Sequence, residues 1–487
     1  MIKTASNLDN FPDFELTIGI EVHVQLTTAT KIFCSCPNAT NKDPNSNICN
    51  ICAGYPGSLP VLNKEVIDSA ILLGLATNAA ISHQSVFDRK HYFYPDLPKG
   101  YQITQQYEPV CRAGYVPIRL EDGSIKNIRL NRIHIEEDAG KNIHSSMSNE
   151  SFVDLNRAGT PLLEVVSEPD ITSTYEAKAY LKALRTIVQY LDICSGNMEE
   201  GAFRADTNIS VKKKGTDRLG TKCELKNINS FKFIGDAIEY EIERQITIIQ
   251  NGGSIAQETR LWDTKNKCSV VMRTKEEAAD YRFFNDPDLP IIIIDDQLIE
   301  EKKTMLPELP NKKFERLCSQ VGLAPYEAEI LVEDKNLATY FDQARLHTQS
   351  KQLVNWILRD FIGYLKENKV SIAECKITPA LLASIINMID AGTINGSAAK
   401  KIFEMVAQTG REPKDIVKEL GLEQIDSIED LKKIVEEIIK ENGQQTEQYK
   451  STRNERLLGF FVGKAMQKTG GKGNPSTITQ LLLELMH

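Results

Sequence analysis

Four cysteines stand in one short stretch as Cys34-x-Cys36, twelve residues, then Cys49-x-x-Cys52. Two close pairs of thiolates can enclose a tetrahedral Zn²⁺. The intervening PNATNKDPNSNI segment has almost no apolar content, so a metal clip gives it a reason to be ordered. Free thiols, disulfides and an Fe–S cluster are the competing readings. Four thiolates fill the coordination sphere of zinc, which makes such a site structural.

A second pattern lies on strands. TIGIEVHVQL at 17–26 alternates with period two, with Ile20, Val22, Val24 and Leu26 on one face and Glu21, His23 and Gln25 on the other. A carboxylate and an imidazole about 7 Å apart on one face suit a divalent metal. A solvated face is the competing explanation for this strand alone. Three further segments repeat the pattern. Arg132, His134 and Glu136 alternate with apolar residues in 129–137, followed by Glu137 and Asp138. Arg204, Asp206, Asn208 and Ser210 do so in 203–211, and Lys222, Glu224 and Lys226 in 221–227. Side by side, these faces make a polar floor. Its carboxylates suit Mg²⁺, which also takes substrate phosphates. Its cations would neutralise phosphoryl oxygens.

Two segments between the strands carry more charge than connectors need. Residues 154–164 place Arg157 ahead of an Ala158-Gly159 turn, with Glu164 opening the next short strand. Residues 88–103 read as a loop rich in aromatics and charges, stiffened by Pro95 and Pro98. No GxxxxGK[ST] is present, nor a GxGxxG ahead of a strand-paired helix, nor a GxSxG. ATP, if used, binds by a less familiar arrangement.

These side chains need a scaffold, and the pattern predicts an α+β chain in three parts. Residues 1–295 form a sheet-rich cradle domain with the metal knuckle at 34–52. Its predicted helices are 62–76, 171–190 starting at Asp170, and 229–250 capped by Asn229 or Ser230 and stopped at Asn251-Gly252-Gly253. Residues 296–408 form a helical domain, with helices at 312–320, 325–334, 335–346, 352–367, 378–390 and 394–408. Residues 409–487 form a small helical tail, in which Ser427-x-x-Asp430 resembles a capping box. Its last two helices are predicted at 451–468 and 475–486, joined by TGGKGNP.

Lys and Arg number 58 against 67 Asp and Glu, a net charge of -9, which excludes a protein that coats nucleic acid. The tail still holds a local basic patch of Lys450, Arg453, Arg456, Lys464, Lys468 and Lys472, opposed only by Glu455, suited to a phosphate backbone. The N-terminus lacks the apolar core of a signal peptide, and no apolar run reaches 18 residues, so no membrane span is expected. The other six cysteines are scattered, as suits a reducing cytosol.

The runs IGIEVHVQL (18–26), YFYPDLPKGYQITQ (92–105), IEEDAGK (135–141), DLNRAGTPLLEVVSEPD (154–170), RADTNIS (204–210), KCELKNINS (222–230) and EEAADYRFFNDPDLP (276–290) resemble the GatB family, one of the component chains of the tRNA-dependent amidotransferases. The likeness extends through the helical region and the tail. It implies a cytoplasmic ligase acting on misacylated Glu-tRNA(Gln), Asp-tRNA(Asn) or both. ATP would phosphorylate the side-chain carboxylate, and ammonia from a partner glutamine amidase would displace the phosphate. A small third chain would complete a heterotrimer.

The resemblance, with the strand geometry, assigns Glu21, His23, Glu136 and Glu164 to Mg²⁺, and the four-cysteine knuckle also resembles one found in the family. Arg157, Arg204, Lys222 and Lys226 would clamp phosphate or carboxylate, the last three as the contacts to ATP. Asp206 and Asn208 would orient the aminoacyl group or a metal-bound water. Glu137 and Glu224 would bridge charges behind them, Met198 would pack beside the floor, and the tail cations would touch tRNA.

Overall fold

The computed structural model describes residues 7–39, 43–144, 150–274, 280–422, 428–470 and 472–486. The chain divides into two compact units, Met1–Glu315 and Arg316–His487.

In the first unit the described residues build a ten-stranded sheet. Its longer strands are β1 (Phe14–Gln25), β4 (Ile125–Glu137), β5 (Pro161–Ser167), β6 (Phe203–Lys213), β7 (Cys223–Ile228), β8 (Glu258–Asp263) and β9 (Cys268–Thr274), while β2 (Asp88–His91) and β3 (Tyr101–Thr104) belong to a smaller sheet. The order is β9-β8-β7-β6-β1-β5-β4, followed by two short strands at Cys111–Arg112 and Ala80–Ile81. Along this series only β7 and β8 run parallel.

β1 lies between β5 and β6, and its alternation is as predicted: Ile18, Ile20, Val22 and Val24 are each no more than 1% exposed. Fully burying such a side chain contributes about 1.5–3 kcal/mol. Their face packs with helices α1 (Lys64–Ala76), α2 (Thr174–Tyr190) and α3 (Phe231–Gln250) in one core that includes Ile71, Tyr180 and Ile242. Helices cover the apolar side, and the polar residues of the strands project from the other.

The helix ends follow local hydrogen bonding. Ser230 caps α3 by accepting from the Phe233 N–H, and the chain leaves the helix through Gly252 at φ +78°, a conformation that suits glycine. α2 starts later than its acidic lead-in predicts. Ser173 is the cap, accepting from the Glu176 N–H, while Asp170 is held by the Arg129 guanidinium at 2.7 Å. The 88–103 segment is a hairpin rather than a loop: β2 pairs with β3, and Phe284–Asn285 pairs with β2. Glu164 sits in the middle of β5, because that strand already begins at Pro161.

The second unit is helical. The predicted helices appear as Pro310–Arg316 (which begins in the first unit), Pro325–Glu333, Lys335–Arg345, Gln352–Asn355 with its continuation to Asn368, Pro379–Asp390 and Gly396–Thr409. Leu317–Val321 and Trp356–Phe361 are wider turns of π type. Towards the C-terminus, Ile428–Glu441, Gly443–Thr452, Glu455–Lys468 and Pro475–Leu485 share a core of Leu431, Val435, Tyr449, Phe461 and Ile478. The predicted 451–468 helix is therefore shorter, because Arg453 at φ +52° ends one helix and Asn454 caps the next. Helix Pro413–Leu420 was not predicted. Ser427 and Gly471, invoked in the cap and the turn, lie outside the described residues. Among the described residues no helix is long and apolar enough to cross a membrane.

Candidate functional site

The strand register assembles the polar floor. His23 lies opposite Glu164 on β5 and Arg204 on β6, and Glu164 lies opposite His134 on β4. Glu21 lies opposite Asp206, Asn208 opposite Glu224, and Glu224 opposite Thr259. Directly paired residues project to the same face. Side chains far apart in sequence thus share one face across β4, β5, β1, β6, β7 and β8.

At one end, His23 Nε2 lies 3.5 Å from Glu136 Oε1 and 3.6 Å from Glu164 Oε2. One ligand-type atom from each of His23, Glu136 and Glu164 falls within 4.8 Å of the others. His134, read on the polar face but given no role, closes this group, with Nε2 3.1 Å from Glu164 Oε2. Burial, and then the Glu164 charge, push the Glu136 carboxyl up to about 7. Burial acts the same way on Glu164, but His134 and His23 outweigh it and hold that carboxyl well below its usual range. Two facing carboxyls that cannot both ionise freely are short of positive charge.

Glu21 is not among these clustered donors. It stands two residues along β1, where its Oε1 accepts from Asn208 Nδ2 at 3.0 Å. Burial, then Glu164, Glu224 and Asp206, raise its pKa. Beside it the Lys226 ammonium lies 2.9 Å from Glu224 Oε1 and bonds Asp206 as well. Burial opposes the charge on Lys226, but those two carboxylates raise its pKa. Burial also opposes ionisation of Glu224, yet Lys226 and the Thr259 hydroxyl at 2.7 Å keep its pKa low. A cleft of about 230 Å³ is lined here by Glu21, Asn208, Lys222, Glu224, Thr259 and Arg273. Lys222 is exposed and precedes β7.

A third group brackets Asp138. Arg204 Nη2 is 2.9 Å and Arg157 Nε 3.6 Å from Asp138 Oδ2, and Arg157 also donates to the carbonyls of Ala139 at 3.0 Å and Gly140 at 2.7 Å. The sequence marks Asp138 only as charge at a strand end. It gives no sign of Thr259 or Arg273, because they belong to strands whose place beside β7 no local pattern reveals. Glu137 pairs with Lys99 and also accepts from the Ile103 N–H at 2.9 Å. Met198 is buried in the main core.

The cysteines converge as their spacing predicts. One Sγ from each of Cys34, Cys36, Cys49 and Cys52 lies within 4.8 Å of the others. Cys49 and Cys52 Sγ are 3.9 Å apart, far beyond a disulfide bond, and all four are free. A hydrogen bond from Cys34 is the main cause that pulls the Cys52 thiol down to about 4, with the Cys49 N–H and Lys31 assisting against burial. The hydrogen bond to Cys52 and burial push the Cys34 thiol up, and burial pushes Cys36 up to about 11, so one thiolate is ready at neutral pH and loading an ion would release protons from the others.

The tail cations do not form a single free patch. Lys468 is held between Glu437 at 2.9 Å and Glu441 at 2.8 Å, acids on the Ile428–Glu441 helix that the reading of 448–472 alone does not count. Arg456 and Lys464 are exposed on Glu455–Lys468, with Lys464 over the Phe460 ring. Arg453 lies over the Tyr449 ring, Lys450 is exposed, and Lys472 is half-buried.

The chain is similar to known proteins over most of its length. The GatB/GatE catalytic domain family matches residues 16–300, and the GatB domain matches residues 339–486. Proteins named as the B subunit of aspartyl/glutamyl-tRNA(Asn/Gln) amidotransferase are similar over almost the whole chain. Those of Geotalea daltonii and Persephonella marina are 48% identical over 476 residues, covering 97% of this chain and 99% and 100% of theirs. That of Geobacter sp. strain M21 is 50% identical over 475 residues, covering 97% of this chain and 99% of its own. The chain belongs to the GatB family, the B subunits of glutamine-dependent tRNA amidotransferases, which are ATP-dependent ligases.

Proposed function

We propose that this chain is the amide-transfer component for Glu-tRNA(Gln), Asp-tRNA(Asn) or both, and that the polar floor carries the chemistry. The observation that carries this reading is the convergence of His23, Glu136, Glu164, Glu21, Arg204, Asp206 and Lys226 on one face of the sheet. The side-chain carboxylate attacks the γ-phosphorus of ATP, and ADP leaves. Ammonia then attacks the acyl phosphate, phosphate departs, a proton is lost, and the amide remains.

The charge-poor group of His23, Glu136 and Glu164 fits a cation with oxygen and imidazole donors. When bound, Mg²⁺ supplies the positive charge that lets two anions approach. Glu21 and Asn208 lie one step away and orient the reacting carboxylate. Lys222, from the lining of the cleft, and Lys226, held by Asp206 and Glu224, would meet phosphoryl oxygens, and Arg157 and Arg204 around Asp138 would clamp phosphate or carboxylate. The tetrathiolate fits Zn²⁺ and has no open position for chemistry. Residues 409–487 act as a tRNA-contacting tail. The ammonia comes from a glutamine amidase partner, with a small third chain completing a cytoplasmic heterotrimer.

Glu21→Gln in the assembled complex tests this. Expected is unchanged binding of misacylated tRNA with loss of tRNA-dependent ADP formation. Wild-type amide transfer by that variant would make the chain an RNA-binding or assembly component without chemistry.

A further inference from the structure

Lys31 is fully buried. Its ammonium donates to the Asn47 carbonyl at 3.0 Å and to Cys52 Sγ at 3.5 Å, and among the described residues no carboxylate pairs with it. A buried ammonium needs an anion nearby. The thiolates supply it: a divalent ion held by four of them leaves two negative charges to offset.

The segment that Lys31 touches grips a loop of the catalytic floor. The Asn47 N–H donates to Asn156 Oδ1 at 2.9 Å, and Asn156 Nδ2 donates back to the Asp43 carbonyl at 2.8 Å. Asn45 donates to Asp154 Oδ1 at 3.1 Å and to the Val153 carbonyl at 2.8 Å, and accepts from the Leu155 N–H at 2.8 Å. Beyond Arg157, the Ile32 N–H donates to the Gly159 carbonyl, and the Gly159 N–H donates to the Asp138 carbonyl. Gly159 is at φ +80°, and a Cβ there would stand 3.6 Å from Cys52 Cβ and 3.7 Å from Lys31 Cδ. Arg157 is thus anchored on one side by residues 43–47 of the cysteine knuckle and on the other by Ile32, which leads into it.

We propose that the knuckle is a positioning device for the floor: with Lys31 as its buried counter-ion, metal loading fixes the 153–160 loop and, through it, the Arg157–Asp138–Arg204 bracket. Lys31, Asn47 and Asn156 are positioning residues that touch no substrate. The inference rests on the assignment of zinc to the four cysteines.

The test uses the full chain, with zinc content measured first. Absence of zinc from the wild type refutes that assignment and the inference with it. With about one zinc per chain, amide hydrogen exchange of 153–160 is compared before and after chelation, with α3 as the internal reference. Expected is at least about tenfold faster exchange in the metal-free loop while α3 is unchanged. Asn156→Ala should keep its zinc yet show fast loop exchange in the loaded state. Lys31→Met, which keeps the volume and drops the charge, should release zinc to a chromogenic chelator about tenfold faster or more. The proposal is overturned if chelation leaves the loop protected, if it exposes α3 equally, if Asn156→Ala leaves loop exchange zinc-dependent as in the wild type, or if Lys31→Met releases zinc at the wild-type rate.

Discussion

The ammonium of Lys226 lies 2.5 Å from the carboxylate of Asp206, and the two come from adjacent strands of the floor. Asp206 has Glu21 and Glu224 for neighbours, so this cation keeps several carboxylates tolerable in one cleft. Removing one partner of a largely buried pair leaves the other uncompensated. Lys226→Met should cost about 2–4 kcal/mol of stability in denaturant unfolding. Asp206→Asn added to it should recover part of that loss, while ADP formation stays abolished in both. If Asp206→Asn costs as much stability in the Lys226→Met background as in the wild type, the pair is not coupled.

Magnesium affinity should separate two residues that share a face of β1. His23→Ala and Glu164→Gln remove clustered donors and should weaken Mg²⁺ binding at least about tenfold by calorimetry. Glu21→Gln should bind Mg²⁺ nearly as the wild type does, because Glu21 lies outside that cluster. An equal loss in all three would return Glu21 to the ligand set.

Glu136 should give the metal-free chain a characteristic pH dependence. Its folded pKa of about 7 lies above the ordinary 4.5, so the folded state holds this proton more tightly than the unfolded chain. The contribution is fully present below 4.5 and is lost as pH rises through 7, on the order of 3 kcal/mol in total. Glu164, whose pKa is depressed, acts in the opposite sense and only below 4.5. Urea midpoints of the wild type against Glu136→Gln between pH 5 and 8 isolate this slope, and saturating Mg²⁺ should flatten it. A pH-independent difference would show that Glu136 titrates normally.

In the tail, loss of a positive charge should not act uniformly. Arg456→Glu or Lys464→Glu should lower tRNA affinity and reduce the salt slope by about one. Lys468→Ala should change that slope little, because its ammonium is committed to Glu437 and Glu441. Filter binding across a salt series makes the comparison, and a slope change for Lys468→Ala as large as for Arg456→Glu would count against it.

The faces of the strands were legible because period two is written into neighbouring residues: β1 and β6 bury the residues that their alternation marks. Strand neighbours were not, since pairing across the sheet joins Glu164 to His134 and Glu224 to Thr259 without any local signal. That is why His134, Asp138 and Arg273 were given no role. Helices with clear stops were placed well. The break at Arg453 was missed because a left-handed arginine announces nothing that a glycine would. The acids that claim Lys468 belong to a different helix and were invisible to a count along 448–472.

β1 has hydrogen-bonded neighbours on both edges, and its two sides serve different masters. One extra residue just after Ile18 would invert everything beyond it, sending Glu21 and His23 among the helices and the valines to the polar face. Evolution can therefore vary the residues on this strand but not their number, and length variation within the family should collect in the turns on either side.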